Sequence, residues 1–372
     1  MRLLLITDQS PDSQHSAIRG IFDQHLRQHA QIDIVWFSRS HPRIERRPGH
    51  IILPWRYRRH SLWWRLHPPL ALNDYDVVIV RNLFPVLSAL QVKKHPYRLG
   101  FWESFPHRFR RFYEAEQTGK ARWRKSLEYR WHARKENRLL ARCDFYLPIT
   151  AHFQKQFRPD LAIPSHPLPM GVDDLALPTP SSLHRPPHQP LRLLYVGAVD
   201  ALRGFETLLA GIRKARIPLI LDIFTASDNP AVRSLKQQAD PMVRIHPPLP
   251  RDALLARMSE YDLGISLIPV TPLYAVSSPT KTMEYFAMGL PALMTRLPEH
   301  EALFGDLPFL FTDFEPVAIA RSLERMAALH ERDWQRAREE GRTIVLAHRT
   351  YRVLASELSV FLSKVHATAS LV

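Results

Sequence analysis

Apolar positions along this chain fall in short runs, each bounded by polar, proline or glycine positions. Runs of four to eight with such punctuation predict buried strands, and longer stretches with helical spacing predict helices. In the first half, strands are predicted at 3–7, 32–37, 76–80, 99–102 and 145–150, with helices at 17–29 and 151–157. In the second half, strands are predicted at 191–196, 219–224, 243–245 and 262–269, and a last helix at 350–364. Strands alternating with helices imply parallel sheets.

One stretch concentrates polar chemistry. Ser277-Ser278-Pro279-Thr280-Lys281-Thr282-Met283-Glu284 leads into a short helix that Gly289 stops, and Pro291 opens the apolar run Ala292-Leu293-Met294. A helix N-terminus carries unpaired N–H groups and binds anions. Lys281 adds a full charge, and Ser277, Ser278 and Thr280 add hydroxyls. Glu284, an acceptor when ionised, suits a ribose diol. Donors for a diphosphate followed by an acceptor for a sugar describe a nucleotide-diphosphate site; an ordinary helix start with solvated Lys and Glu is the plainer alternative.

At 372 residues the chain exceeds one typical core, and two α/β domains are expected. The single cysteine, Cys143, excludes a disulfide framework and fits a reducing compartment. No apolar run approaches the roughly 20 residues that span a bilayer, and the N-terminus reads as a strand rather than a leader. The net charge of +15 is uneven. Residues 93–142 hold 15 Lys/Arg against 5 Asp/Glu, and residues 39–67 hold 8 Arg against one Glu. Residues 190–349 hold 19 of each sign. In 108–142, Arg110, Arg111, Lys120, Arg122, Arg124, Lys125, Arg130, Arg134, Lys135 and Arg138 alternate with Phe109, Phe112, Tyr113, Trp123, Tyr129 and Trp131. Arg56, Arg58 and Arg59 lie beside Trp55, Tyr57, Trp63 and Trp64. Basic, aromatic-rich segments read as membrane-surface elements, or else as solvated helix faces.

A second motif opens the latter half: Gly197-Ala198-Val199-Asp200-Ala201-Leu202-Arg203-Gly204 between a strand and a helix. Gly197 permits close backbone approach, and Arg203 can reach a diphosphate. A third, Leu168-Pro169-Met170-Gly171-Val172-Asp173, precedes a linker at 178–190 rich in Pro, Ser and His.

Together the three motifs resemble those of GT-B glycosyltransferases, particularly glycosyltransferase family 4. The resemblance is close across 190–349 and patchy before it. It implies an α/β GT-B fold: two Rossmann-like domains with parallel sheets facing an inter-domain cleft. An acceptor domain would span 1–184, with 350–372 packing back on it, and a donor domain 190–349. Many family members place an earlier glutamate where Val276 stands; Ala198 and Met170 replace the family's Arg and Asn. The family's residues map the donor nucleotide onto Gly197, Arg203, Leu249 (in the base-stacking segment 246–249), Ser277, Ser278, Thr280, Lys281 and Glu284, the last on the ribose. Arg203 and Lys281 would stabilise the leaving diphosphate. Glu103 stands where the family often has a catalytic His, and Asp8, His15, Ser16 and Ser104 are acceptor or cleft candidates.

The implied activity is hexosyl transfer from a nucleotide sugar (UDP or GDP), retaining, without metal or other cofactor. The basic first half suits a lipid-linked or glycan acceptor on an anionic membrane surface, as in bacterial polysaccharide or lipopolysaccharide synthesis, and a cytoplasmic protein peripheral on the inner face of the membrane. Nucleic acid is not the expected partner. Two alternatives stand beside this reading: a non-enzymatic basic nucleic-acid binder and a GT-B sugar epimerase.

Overall fold

The structure, a computed structural model, describes residues 1–13, 15–92, 94–119, 123–174, 177, 187–238 and 240–367. Lys120, Arg122 and linker positions 178–186 lie outside these. The chain divides into two compact units, Met1–Pro169 with Tyr351–Val372, and Met170–Thr350.

In the first unit the strands are β1 (Arg2–Ile6), β2 (Gln31–Ser38), β3 (Glu45–Arg47), β4 (His50–Pro54), β5 (Val77–Arg81), β6 (Arg98–Glu103) and β7 (Phe145–Pro148). They form one sheet in the order β3-β4-β2-β1-β5-β6-β7. All pairings are parallel except that of β3 with β4. Leu3–Ile6 and Val77–Val80 are wholly buried, as expected of central parallel strands covered on both faces. The predicted helix at 17–29 begins with a wide π-helical stretch, Ile18–His25, and closes as a 3₁₀ turn, Leu26–Gln28. It packs on the helix Tyr351–Ala367. Gly20 meets the Tyr351 ring where a Cβ would fall 2.1 Å from Cδ2, so only glycine fits. The basic run 108–142 is two helices, His107–Gln117 and Trp123–Leu140. Gly119, at φ +66°, follows the first.

The second unit carries β8 (Leu191–Val196), β9 (Leu219–Phe224), β10 (Val243–His246), β11 (Leu263–Ser266) and β12 (Ala292–Met294). The order β10-β9-β8-β11-β12 is wholly parallel. Strand order thus reverses between β8 and β11, as it does between β1 and β5 in the first unit. In open α/β sheets, ligands bind at the carboxyl ends of the strands flanking that reversal. Each unit therefore has one such place.

Candidate functional site

In the second unit, the loops after β8 and β11 converge at the reversal. Gly197 follows β8 with φ +137°, a conformation that L side chains rarely adopt. A 3₁₀ turn, Ala201–Arg203, then forms, capped by Asp200, whose carboxylate accepts the Arg203 N–H at 2.9 Å. Gly204, left-handed at φ +59°, redirects the chain into the helix Phe205–Lys214.

After β11 the chain reaches the helix Thr280–Ala287, which no side chain caps. The buried face anchors it. Thr282 Oγ1 bonds Ser266 Oγ at 2.6 Å and His300 Nε2 at 3.1 Å, and Tyr285 Oη accepts the Val196 N–H at 2.9 Å. Burial pushes the His300 imidazole down to about 4, so it is neutral here. The helix N-terminus is thereby held beside the end of β8.

Lys281 occupies this junction. Its Nζ is buried, lies 4.1 Å from the Tyr195 ring centroid, and has no hydrogen-bond partner among the described residues. Burial, with Arg203 adding in the same direction, pushes its ammonium well below the ordinary lysine range. Arg203 is a second cation at the same place, with its Nε 3.5 Å from Asp200 and its guanidinium 6.0 Å from the Tyr274 ring. A buried, unpaired amine beside a guanidinium makes a site that an anion relieves, because bound negative charge favours the ammonium form.

Glu284 sits one turn along. Burial raises its carboxyl, and Arg251 pulls the other way through an ion pair of 3.0 Å to Oε1. Oε2 meets no donor among the described residues and is open to a hydroxyl. Arg251 was missed at the sequence level; its only signal is a cation at a helix start straight after His246-Pro247-Pro248-Leu249-Pro250. Leu249 itself is half-buried against the unit's core.

The hydroxyl donors expected of Ser277 and Ser278 are engaged elsewhere, which corrects that expectation. Ser277 Oγ donates to the Tyr274 carbonyl at 2.6 Å. Ser278 Oγ bonds Glu299 and accepts the Met170 N–H at 3.1 Å, tying the loop into the framework. Thr280 keeps its place at the helix start. Val276, at the position of the family's earlier glutamate, is buried apolar surface.

In the first unit the site at the reversal centres on Arg81, the residue that closes β5. Asp8 pairs with its Nη1. His15 Nε2 accepts from Nη2 at 2.7 Å, and Ser104 Oγ accepts from the same nitrogen at 2.8 Å. Asn82 bonds Ser104 and Asp8, and the Trp102 ring lies 4.7 Å from the guanidinium. Three of the four acceptor candidates thus meet on one cation. The fourth, Ser16, bonds Tyr351 Oη at 2.7 Å instead. Burial and Arg81 push His15 down to about 4, so the ring is neutral, and its Nδ1 has no partner among the described residues. Burial alone would raise the Asp8 carboxyl, but Arg81 and Asn82 outweigh it and leave it lowered. The signal for Arg81 was a charged residue ending an otherwise apolar strand.

Glu103, expected as a catalytic carboxylate, is buried with both oxygens taken. Oε1 accepts from Arg158 at 2.7 Å, while Oε2 accepts from Arg158 at 3.0 Å and from Tyr146 Oη at 2.7 Å. Arg158 also pairs with Glu136 at 3.1 Å. This geometry makes Glu103 an anchor for Arg158 rather than a group poised to take a proton. The triad borders a cavity of 290 Å³ walled by Phe84, Phe105, Phe109, Tyr129 and Phe157.

No protein-family model matches this sequence, and no curated protein does. Solved structures do resemble it. Sucrose-phosphate synthase from Thermosynechococcus elongatus superposes with a TM-score of 0.73 at 14% identity, over 99% of this chain and 100% of that one. The α,α-trehalose 6-phosphate synthase of Burkholderia multivorans gives 0.69 at 14% identity, over 100% and 98%. The E. coli trehalose-6-phosphate protein bound with UDP-2-fluoro glucose gives 0.66 at 12%, over 98% and 99%. These likenesses establish the fold, that of the GT-B glycosyltransferases.

Proposed function

We propose that this GT-B chain is a glycosyltransferase that takes its sugar from a nucleotide-diphosphate donor held by the second unit. The observation that carries this reading is the buried, unpartnered Nζ of Lys281 beside Arg203 at a helix N-terminus. A diphosphate supplies the missing charge. Glu284, with Oε2 open one turn further along, takes the ribose diol, and Arg251 sets its orientation. Leu249 and its neighbours flank the base. As the bond from the anomeric carbon to the diphosphate oxygen breaks, charge grows on the diphosphate, and Lys281, Arg203 and the helix N-terminus stabilise it. Solved neighbours that include a UDP-sugar complex support the same reading.

The acceptor meets the first unit, where Asp8, His15 and Ser104 surround Arg81 and can bond hydroxyls of an incoming glycan. The excess positive charge of residues 39–67 and 93–142 favours an acceptor on an anionic membrane, as a lipid-linked or envelope glycan would be. Transfer is retaining and metal-independent in this reading, with the protein peripheral on the cytoplasmic face of the membrane.

Thermal-shift titration with UDP- and GDP-sugars tests the donor site. One nucleotide sugar should raise Tm through linkage, and Glu284→Ala should cancel most of the rise. A full-sized shift in that variant removes the ribose assignment.

A further inference from the structure

The helix Trp123–Leu140 has two unlike faces. The inner face is satisfied within the first unit. The Tyr129 ring stacks on Phe112 with centroids 5.0 Å apart, Glu136 is buried between Arg108 and Arg158, and Leu140 is fully buried. Trp123, Leu127 and Trp131 recur every fourth residue on the opposite side, at 69%, 55% and 60% exposure. At 100° per residue they lie within an arc of about 80° and extend about 12 Å along the axis. None is needed for packing.

Cations frame this stripe. Arg134 and Arg138 fall within the same arc, and Arg124, Arg130 and Lys135 lie at its edges; all five are exposed. The Arg124 guanidinium lies 5.4 Å from the Trp123 ring and the Lys135 Nζ 5.6 Å from the Trp131 ring. None of the five has a carboxylate partner among the described residues. Of the helix's two acids, Glu136 is buried on the inner face, and exposed Glu128 lies past the edge of the arc and faces His132.

We infer that this face is a docking surface for an anionic lipid bilayer. The two tryptophans and Leu127 enter the headgroup boundary, and the five cations meet lipid phosphates. An apolar stripe inside an uninterrupted cationic frame complements a surface that is negative outside and apolar just beneath. Polyanions offer phosphates without the apolar layer, which leaves the Leu127 position unexplained. The inference gives residues to the membrane-bound acceptor of the proposed function and rests on that part of it, but not on the identity of the donor.

The test is flotation of the full chain with vesicles of phosphatidylcholine alone and of phosphatidylcholine with phosphatidylglycerol. Thermal shift with the nucleotide sugar runs beside it. The wild-type chain should float with the mixed vesicles only, and salt should weaken this. The Trp123→Ser, Leu127→Ser, Trp131→Ser variant should lose about tenfold or more of its binding while keeping its donor shift. Equal binding to neutral vesicles, no binding to either, or undiminished binding by the variant overturns the inference. So does nucleic-acid binding of similar strength in a gel shift that the triple variant leaves intact. A donor shift that never appears, with flotation as expected, sinks the donor reading and leaves this one standing.

Discussion

Lys281 is costly while the site is empty, since a buried amine without a partner is held away from its charged form. A bound diphosphate restores that charge, so donor binding takes up a proton between the free and bound pKa values. Affinity should therefore fall as pH rises. Calorimetry in buffers of different ionisation enthalpy reads the uptake directly; zero exchange throughout the neutral range contradicts it. The same reasoning predicts that Lys281→Met raises the Tm of the unliganded protein, by about 2–4 °C for each kcal/mol of penalty removed, and abolishes the donor shift. Glu284→Ala differs in kind. It removes a charged hydrogen-bond acceptor, worth about 1.5–3 kcal/mol of donor affinity, and leaves Arg251 without its carboxylate. At Gly197 a methyl group would meet open space, the nearest atom being Tyr195 Oη at 4.0 Å. Gly197→Ala therefore reports backbone conformation alone and should cost about 1–3 kcal/mol by chemical denaturation.

Between elements, Arg158 joins three pieces of the first unit: the end of β6 through Glu103, the helix Trp123–Leu140 through Glu136, and the chain just past the helix Ala151–Phe157. Burial opposes the guanidinium's charge, but Glu103 outweighs it and holds Arg158 above the ordinary arginine range. Removing Arg158 leaves buried Glu103 without its cation, while Glu136 keeps Arg108, so Arg158→Met should destabilise the protein by roughly 3–5 kcal/mol, seen as a lowered unfolding midpoint. This triad also marks where reading the sequence stops. Strands such as Leu191–Val196 and Leu219–Phe224 were legible because continuous apolar runs with flanking breakers have few other outcomes. The helix at Lys281 and Glu284 was legible for the same local reason, with its stop at Gly289 and Pro291. The partnerships Glu103–Arg158, Glu284–Arg251 and Asp8–Arg81 join residues 55, 33 and 73 positions apart. No periodicity reports such pairs, so a carboxylate that looked free for catalysis proved engaged. Ser277 and Ser278 misled likewise: their type suited a phosphate, and only the fold reveals that a carbonyl and Glu299 already occupy them.

For the molecule as a whole, charge and chemistry are segregated. Residues 190–349 are balanced in sign, with Lys281 and Arg203 brought together at the reversal, while the first unit carries the excess positive charge. No helix among the described residues is long and apolar enough to cross a membrane. The first unit is also discontinuous in sequence: Tyr351–Ala367 belongs to it although the whole second unit intervenes. Tyr351, Leu354, Leu358 and Leu362 are buried there, and Tyr351 closes over Gly20 and bonds Ser16. This has a consequence for biosynthesis. A growing polypeptide that has left the ribosome as far as residue 169 still shows a bare apolar flank along Ile18–His25, and it stays bare until some 180 further residues have been translated, about 10–40 s at ordinary elongation rates. The second unit thus matures first, and the first unit waits for its last helix as a natural client for chaperones.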